Sequence, residues 1–116
     1  MKRLYVVVRS DLPTGLQMAQ ACHAAIEFGR VHGEREDVGD NLVVLHARDE
    51  KHLQQLVDAG MMTTALAVFR EPDLGNEITA VSFNGDAQRM LSSLPLARHP
   101  QKVSVWAEAC ADGSPS

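Results

Sequence analysis

The stretch Leu4-Tyr5-Val6-Val7-Val8-Arg9-Ser10-Asp11-Leu12-Pro13-Thr14-Gly15 decides how this chain folds. Its first five residues are an apolar run rich in β-branched side chains, which reads as a buried strand. Asp11 to Gly15 break that run with Pro and Gly. Thr14, with Gln17 three residues later, has the spacing of a capping box, in which hydroxyl and amide satisfy free N–H groups at a helix start. The spacing predicts a helix from about Gly15 to Gly29. Leu16, Ala19, His23 and Ile26 form one stripe on it, with Met18, Cys22 and Ala25 beside them. Such short side chains predict close packing of this helix against a sheet.

Working outward, residues 30–41 are polar and Gly-containing and read as a loop. Leu42 to His46 is a second buried strand. Arg48 or Asp49 starts a second helix, with Leu53, Leu56 and Val57 at helical spacing and Gly60 at its end. Thr63 to Phe69 is a third strand and Glu77 to Phe83 a fourth, with Thr79, Val81 and Phe83 expected on one face. A short helix carrying Met90, Leu91 and Leu94 follows, ended by Pro95. Strands separated by helices require crossovers, hence an α/β fold with a mostly parallel sheet covered on both faces. The direct link through residues 70–76 adds one antiparallel member. Lys102 to Trp106 reads as an extra edge strand, a partner-binding segment or a tail lying on the body.

The chain has 116 residues, of which 45% are hydrophobic and 4% aromatic, so an aliphatic core fits its length. That composition excludes disorder and a disulfide scaffold. No apolar run is long enough for a bilayer span and no signal peptide is visible, so a cytoplasmic, membrane-free protein is expected. Cys22 and Cys110 are distant in sequence, and the Cys22-His23 pair points two ways on a helix; neither a disulfide nor a metal site is expected. The net charge of −4 disfavours binding nucleic acid through bulk charge. Yet residues 1–33 carry Lys2, Arg3, Arg9 and Arg30 against only Asp11 and Glu27, so the positive excess lies at the start of the chain.

In open α/β sheets, ligands gather at the carboxyl ends of the parallel strands. Arg9, Ser10 and Asp11 follow the first strand, His46 and Arg48 the second, and Arg70, Glu71 and Asp73 the third. Together they offer acids, guanidinium groups and a helix N-terminus. No phosphate-binding glycine loop and no nucleophile elbow occur. Ser10, His23 and Asp11 make a nucleophilic trio on paper only, since any α/β domain supplies such trios. In a helix facing a sheet, His23 is more often a packed residue than a catalytic one, and Asp11 serves equally well as a turn residue.

Val6 to Leu12, then Gly15, then Ala19-Gln20-Ala21-Cys22-His23-Ala24-Ala25, resembles the opening of the type 2, archaeal and eukaryotic peptidyl-tRNA hydrolases. That family opens with a strand, Arg-x-Asp-Leu, a Gly- and Lys-bearing turn, and a helix with Ala-Gln-x-x-His-Ala. The resemblance covers about residues 4–96. It implies a three-layer α/β/α sandwich around a mixed four-stranded sheet, in one domain at residues 1–97 with a C-terminal extension at 98–116. It implies a homodimer that hydrolyses, without metal or cofactor, the ester joining a peptide to the 3′ end of tRNA. Carried onto this chain, it implies Arg9, Asp11, Gln20 and His23 as site residues, with Glu71 roughly at the family's Asp after the third strand. Together with Arg70, which follows that strand, the expected roles are Asp11, His23 and Glu71 catalytic and Arg9, Gln20 and Arg70 substrate-binding. Pro13-Thr14-Gly15-Leu16 carries no lysine where the family's turn has them, and Glu71 stands where the family has an Asp. Two other readings share the fold: a non-catalytic dimeric binding module, and a hydrolase of another small acylated substrate.

Overall fold

A computed structural model describes residues 2–33, 35–39 and 41–97. The elements run β1 (Arg3–Arg9), α1 (Thr14–His32), β2 (Asn41–Ala47), α2 (Glu50–Gly60), β3 (Leu66–Glu71) and β4 (Glu77–Asn84). Single 3-10 turns at Pro72–Leu74 and Gly85–Ala87 link and follow the last two strands. The expected strand at Lys102 to Trp106 lies outside the described residues.

The sheet order is β2-β1-β4-β3. β1 and β2 are parallel, whereas β4 runs antiparallel to both β1 and β3. Three strands therefore point one way, with β4 as the expected antiparallel member. Because β4 sits inside the sheet, only one of its three pairings is parallel. Position within the sheet depends on long-range pairing, which no local pattern encodes.

The two helices cover opposite faces, as the three-layer reading required. Tyr5, Val7, Leu45, Val81 and Phe83 pack with Leu53, Leu56 and Val57 of α2. Val6, Val8 and Ala80 pack with Ala24 of α1. Phe83 and Leu53 are fully buried, and truncating either to Ala would cost roughly 2–5 kcal/mol. On the α1 side, small residues bring the helix backbone close to the strands, and the Ser82 hydroxyl donates to the Ala24 carbonyl at 2.8 Å.

The buried stripe of α1 differs from expectation. It is Gln17, Gln20, Ala24 and Phe28, while Ala19 and His23 are exposed. Two glutamines face inward because each finds a partner there, a gain that composition alone does not reveal. Thr14 is not the cap. Pro13 holds that position and no side chain caps it, whereas the Gln17 amide turns back to the Leu12 carbonyl at 2.7 Å. The helix also runs through Gly29 and stops at Gly33, whose φ of 67° lies in the left-handed region that glycine adopts freely. His32 is held in that last turn by the Leu66 carbonyl at 2.7 Å and by packing on Phe28.

Of the two starts the sequence offers for α2, Asp49 rather than Arg48 is the cap, accepting from the His52 N–H at 2.9 Å. β3 starts later than predicted, because the N–H groups of Thr63 and Thr64 both turn back to the Gly60 carbonyl. The Thr64 hydroxyl donates to that carbonyl too, so Met61 to Thr64 finish the helix rather than begin a strand. In place of the expected short helix, Gln88 to Leu94 form successive tight turns, with Leu91 buried and Met90 and Leu94 packed on the α2-side core.

Candidate functional site

At one end of the sheet β1, β2 and β3 finish and β4 begins. The ladder between β1 and β4 ends at Val8 opposite Ala80. Next to it, Phe69 is opposite Ala80 but Arg70 is opposite Ile78, so Thr79 is an extra residue in β4. This bulge turns Thr79 to the α1 side, where its hydroxyl donates to Gln20 Oε1 at 2.5 Å. Thr79 is thus not on the face of Val81 and Phe83, as strict alternation predicted. Ile78 stays paired with Arg70 of β3 but lies past the end of the β1–β4 ladder, so its N–H donates to Glu50 Oε2 at 2.8 Å and its carbonyl accepts from Arg9 Nη1 at 3.2 Å.

Arg9 occupies the gap where that ladder stops. Its Nε and Nη2 donate to the two Asp11 carboxylate oxygens at 2.9 and 3.0 Å, and its Nη1 donates to Glu77 Oε1 at 2.7 Å. A planar guanidinium matches a carboxylate in this two-point manner, which accounts for the Arg-x-Asp spacing. Arg9 itself is buried, while the side chains of Asp11 and Glu77 are 41% and 47% exposed. The hydrogen bonds and charge of Arg9 hold the Asp11 carboxyl below the usual carboxylate range, and the two acids push the Arg9 guanidinium up. Asp11 is therefore ionised at neutral pH and a weak base.

Glu71 stands directly opposite Glu77 on the neighbouring strand. Like charges at that spacing repel, and the bond from Arg9 draws Glu77 toward β1. Glu71 is half-buried, and its carboxylate makes no hydrogen bond or ion pair among the described residues. Arg70 is exposed, with Nη1 on the Asn76 carbonyl at 3.2 Å. With strands about 4.8 Å apart, β4 places Glu71 roughly 10 Å from the β1 axis and roughly 14 Å from β2. The strand ends thus form one long crevice with acids in its middle. His23 lies on the α1 side, stacked on the Phe69 ring with centroids 4.6 Å apart and planes 10° from parallel. Gln20 is almost wholly buried, its carbonyl oxygen facing Thr79.

A second polar pair closes the α1 side of the crevice. The Gln17 amide nitrogen donates to the carbonyls of Leu12 and Ser10, so its oxygen must face His46. His46 Nε2 lies 2.6 Å from that oxygen and carries the hydrogen, which leaves Nδ1 as the basic nitrogen. Burial pushes the His46 imidazole below its ordinary value, so it is neutral at pH 7. Beyond this pair, α1 leaves the β2 flank of the sheet open. A groove of about 860 Å³ runs there, floored by Val6, Val8 and Val44 and walled by Met18, Cys22 and Ile26.

Arg9, Asp11 and Glu71 lie at this edge as their places at strand ends imply, whereas Glu77 and Glu50 join them without a signal at a strand end, and Gln17 faces His46 rather than capping α1. Glu77 precedes its strand; the signal that could have found it is that an antiparallel strand brings its beginning, not its end, to this edge. Among the described residues no cluster of three or more His, Cys, Asp or Glu is placed to hold a metal, and no helix is long and apolar enough to cross a membrane.

The sequence profile of the peptidyl-tRNA hydrolase PTH2 family matches residues 2–80, most of the described chain, and this chain belongs to that family. A solved structure of a protein of unknown function from Agrobacterium tumefaciens C58 is similar in fold, with a TM-score of 0.62 at 12% identity over 83% of this chain and 97% of that one. None of the curated proteins matches.

Proposed function

We propose that the crevice hydrolyses the ester between a peptide and the 3′ end of tRNA. The observation that carries this reading is the Arg9–Asp11 pair, the family's Arg-x-Asp, set at the carboxyl edge of β1 between further carboxylates. Ester hydrolysis needs a base to activate water, and the Glu71 carboxylate has neither a hydrogen bond nor an ion pair among the described residues, whereas Asp11 and Glu77 are held by Arg9 and Glu50 by the Ile78 N–H. Asp11, kept ionised, is the second carboxylate, held by Arg9 two strands away across β4. Arg9 binds substrate indirectly, by holding Asp11 and Glu77 in place, and the exposed Arg70 meets the terminal phosphates. His23 on Phe69 orders the α1 side, and Gln20 acts from the interior through Thr79. A homodimer working in the cytoplasm is part of the same proposal, and sedimentation equilibrium tests its first half.

The test is release of peptide from an N-blocked aminoacyl-tRNA. Turnover well above buffer is expected, with Glu71→Gln lowering it by about 10²–10⁴. Turnover equal to buffer, or an unaffected variant, would refute the assignment. The acids around Arg9 and the lysine-free turn at residues 13–16 support a second reading, a smaller acylated substrate. An N-acyl-aminoacyl adenosine cleaved with a kcat/KM equal to or above that of the tRNA substrate would favour it. Saturable binding with no hydrolysis would favour the binding module.

A further inference from the structure

Residues 98–116 contain an apolar segment, Val103-Ser104-Val105-Trp106-Ala107, that the proposed chemistry does not use. The chain approaches it along a defined line. Leu96 lies opposite Leu45 in antiparallel register on the outer edge of β2. The His46 N–H donates to the Pro95 carbonyl at 2.9 Å, and the Ala97 N–H to the Val44 carbonyl at 2.8 Å. Ala97 thereby stands on the rim of the groove between α1 and β2. Around that groove Met18, Ile26 and Leu42 are 69%, 61% and 61% exposed. Scattered apolar residues on a surface are ordinary, but a contiguous patch flanking a groove marks an interaction site.

We infer that this groove is the seat of the chain's own Val103–Trp106 segment, with Trp106 as its anchor. Residues 98–102, extended, reach up to about 17 Å from Ala97. The helix wall from Met18 to Ile26 is about 12 Å long, so the segment is within range. Tethering at Ala97 raises its local concentration to about the millimolar range, an advantage over any free partner. The chemistry also fits. The groove is mostly apolar, with Thr14, Gln17 and His46 as its polar lining, and an indole is a large apolar body with a single N–H donor.

Trp106 is the only tryptophan in the chain, so its fluorescence reports this contact directly. In the full chain its emission should be blue-shifted, with acrylamide quenching several-fold weaker than in urea. Met18→Glu and Ile26→Glu alter only exposed positions and should leave the far-ultraviolet circular dichroism unchanged. Each should shift the emission to the red and raise quenching toward the unfolded value. In a Cys110→Ser background, Trp106→Ala should speed the reaction of Cys22 with a thiol reagent several-fold. Emission in the native chain equal to that in urea, or variants that leave it unmoved, would overturn the inference. So would shielding that disappears on dilution together with a dimer in sedimentation, which would assign the groove to a second copy. Docking and hydrolysis are measured separately, so either can fail alone.

Discussion

Replacing Arg9 with methionine removes the hub of the crevice while keeping an apolar stem of similar length. Four hydrogen bonds disappear: two to Asp11, one to Glu77 and one to the Ile78 carbonyl. Asp11 and Glu77 are nearly half exposed, so water re-solvates them; their share is about 0.2–1 kcal/mol each rather than the value of a buried pair. The Ile78 carbonyl is buried and loses a charged donor, at about 1–3 kcal/mol. The total is about 1.5–5 kcal/mol, which for a chain of this size lowers Tm by roughly 6–20 °C. Urea unfolding at pH 7 measures it. The pH dependence supplies an independent check. Asp11 titrates below its ordinary value of 3.8 in the folded chain, so on acidification the unfolded chain takes up the proton first. Its stabilisation is complete above that ordinary value and is lost as pH falls through the folded one. Arg9→Met should remove this part of the acid sensitivity. A loss under about 1 kcal/mol at pH 7, with the acid limb unchanged, would refute the hub reasoning.

Gln20→Leu leaves the Thr79 hydroxyl buried without its partner and should cost about 1–3 kcal/mol, whereas adding Thr79→Val should restore most of that, as read by urea midpoints. His46 and His52 both titrate below the ordinary histidine value through burial, so the unfolded chain binds the proton first as pH falls through 6.5 and stability declines below that pH. His46→Phe should flatten the slope between about pH 5 and 6.5 without abolishing it, since His52 remains. A Cβ on Gly60 would meet Met90 Cε and Thr64 Oγ1 at 3.2 Å and Phe83 Cε2 at 3.3 Å, so Gly60→Ala should destabilise by about 1 kcal/mol or more in thermal melts. Gly15→Ala meets nothing within 4 Å in the first turn of α1 and should stabilise by up to about 1 kcal/mol.

Element types were legible because each rests on a local signal: the Val6 to Val8 run for β1, the Leu53, Leu56, Val57 spacing for α2, and Asp49 as its cap. Errors fell where a distant partner outweighed the local pattern. The inward face of α1 was misplaced because Gln17 and Gln20 pair with His46 and Thr79, both far along the chain. The start of β3 differs for a local reason instead: Thr63 and Thr64 bond back to Gly60, at most four residues earlier, and finish the helix. Of the site, Arg9, Asp11 and Glu71 could be read as residues after strands, but their separation could not.

What the sequence by itself determined is the order and type of the elements from β1 to β4, the Arg9-x-Asp11 motif and the likeness to peptidyl-tRNA hydrolases. All of these are properties of neighbours within a few residues. The tertiary structure decided that β4 lies between β1 and β3 and that Thr79 is bulged. It also decided that Arg9 is spent on Asp11, Glu77 and Ile78. Strand order and register are set by which side chains bury best across the whole sheet, and that is a choice among partners up to 69 residues apart.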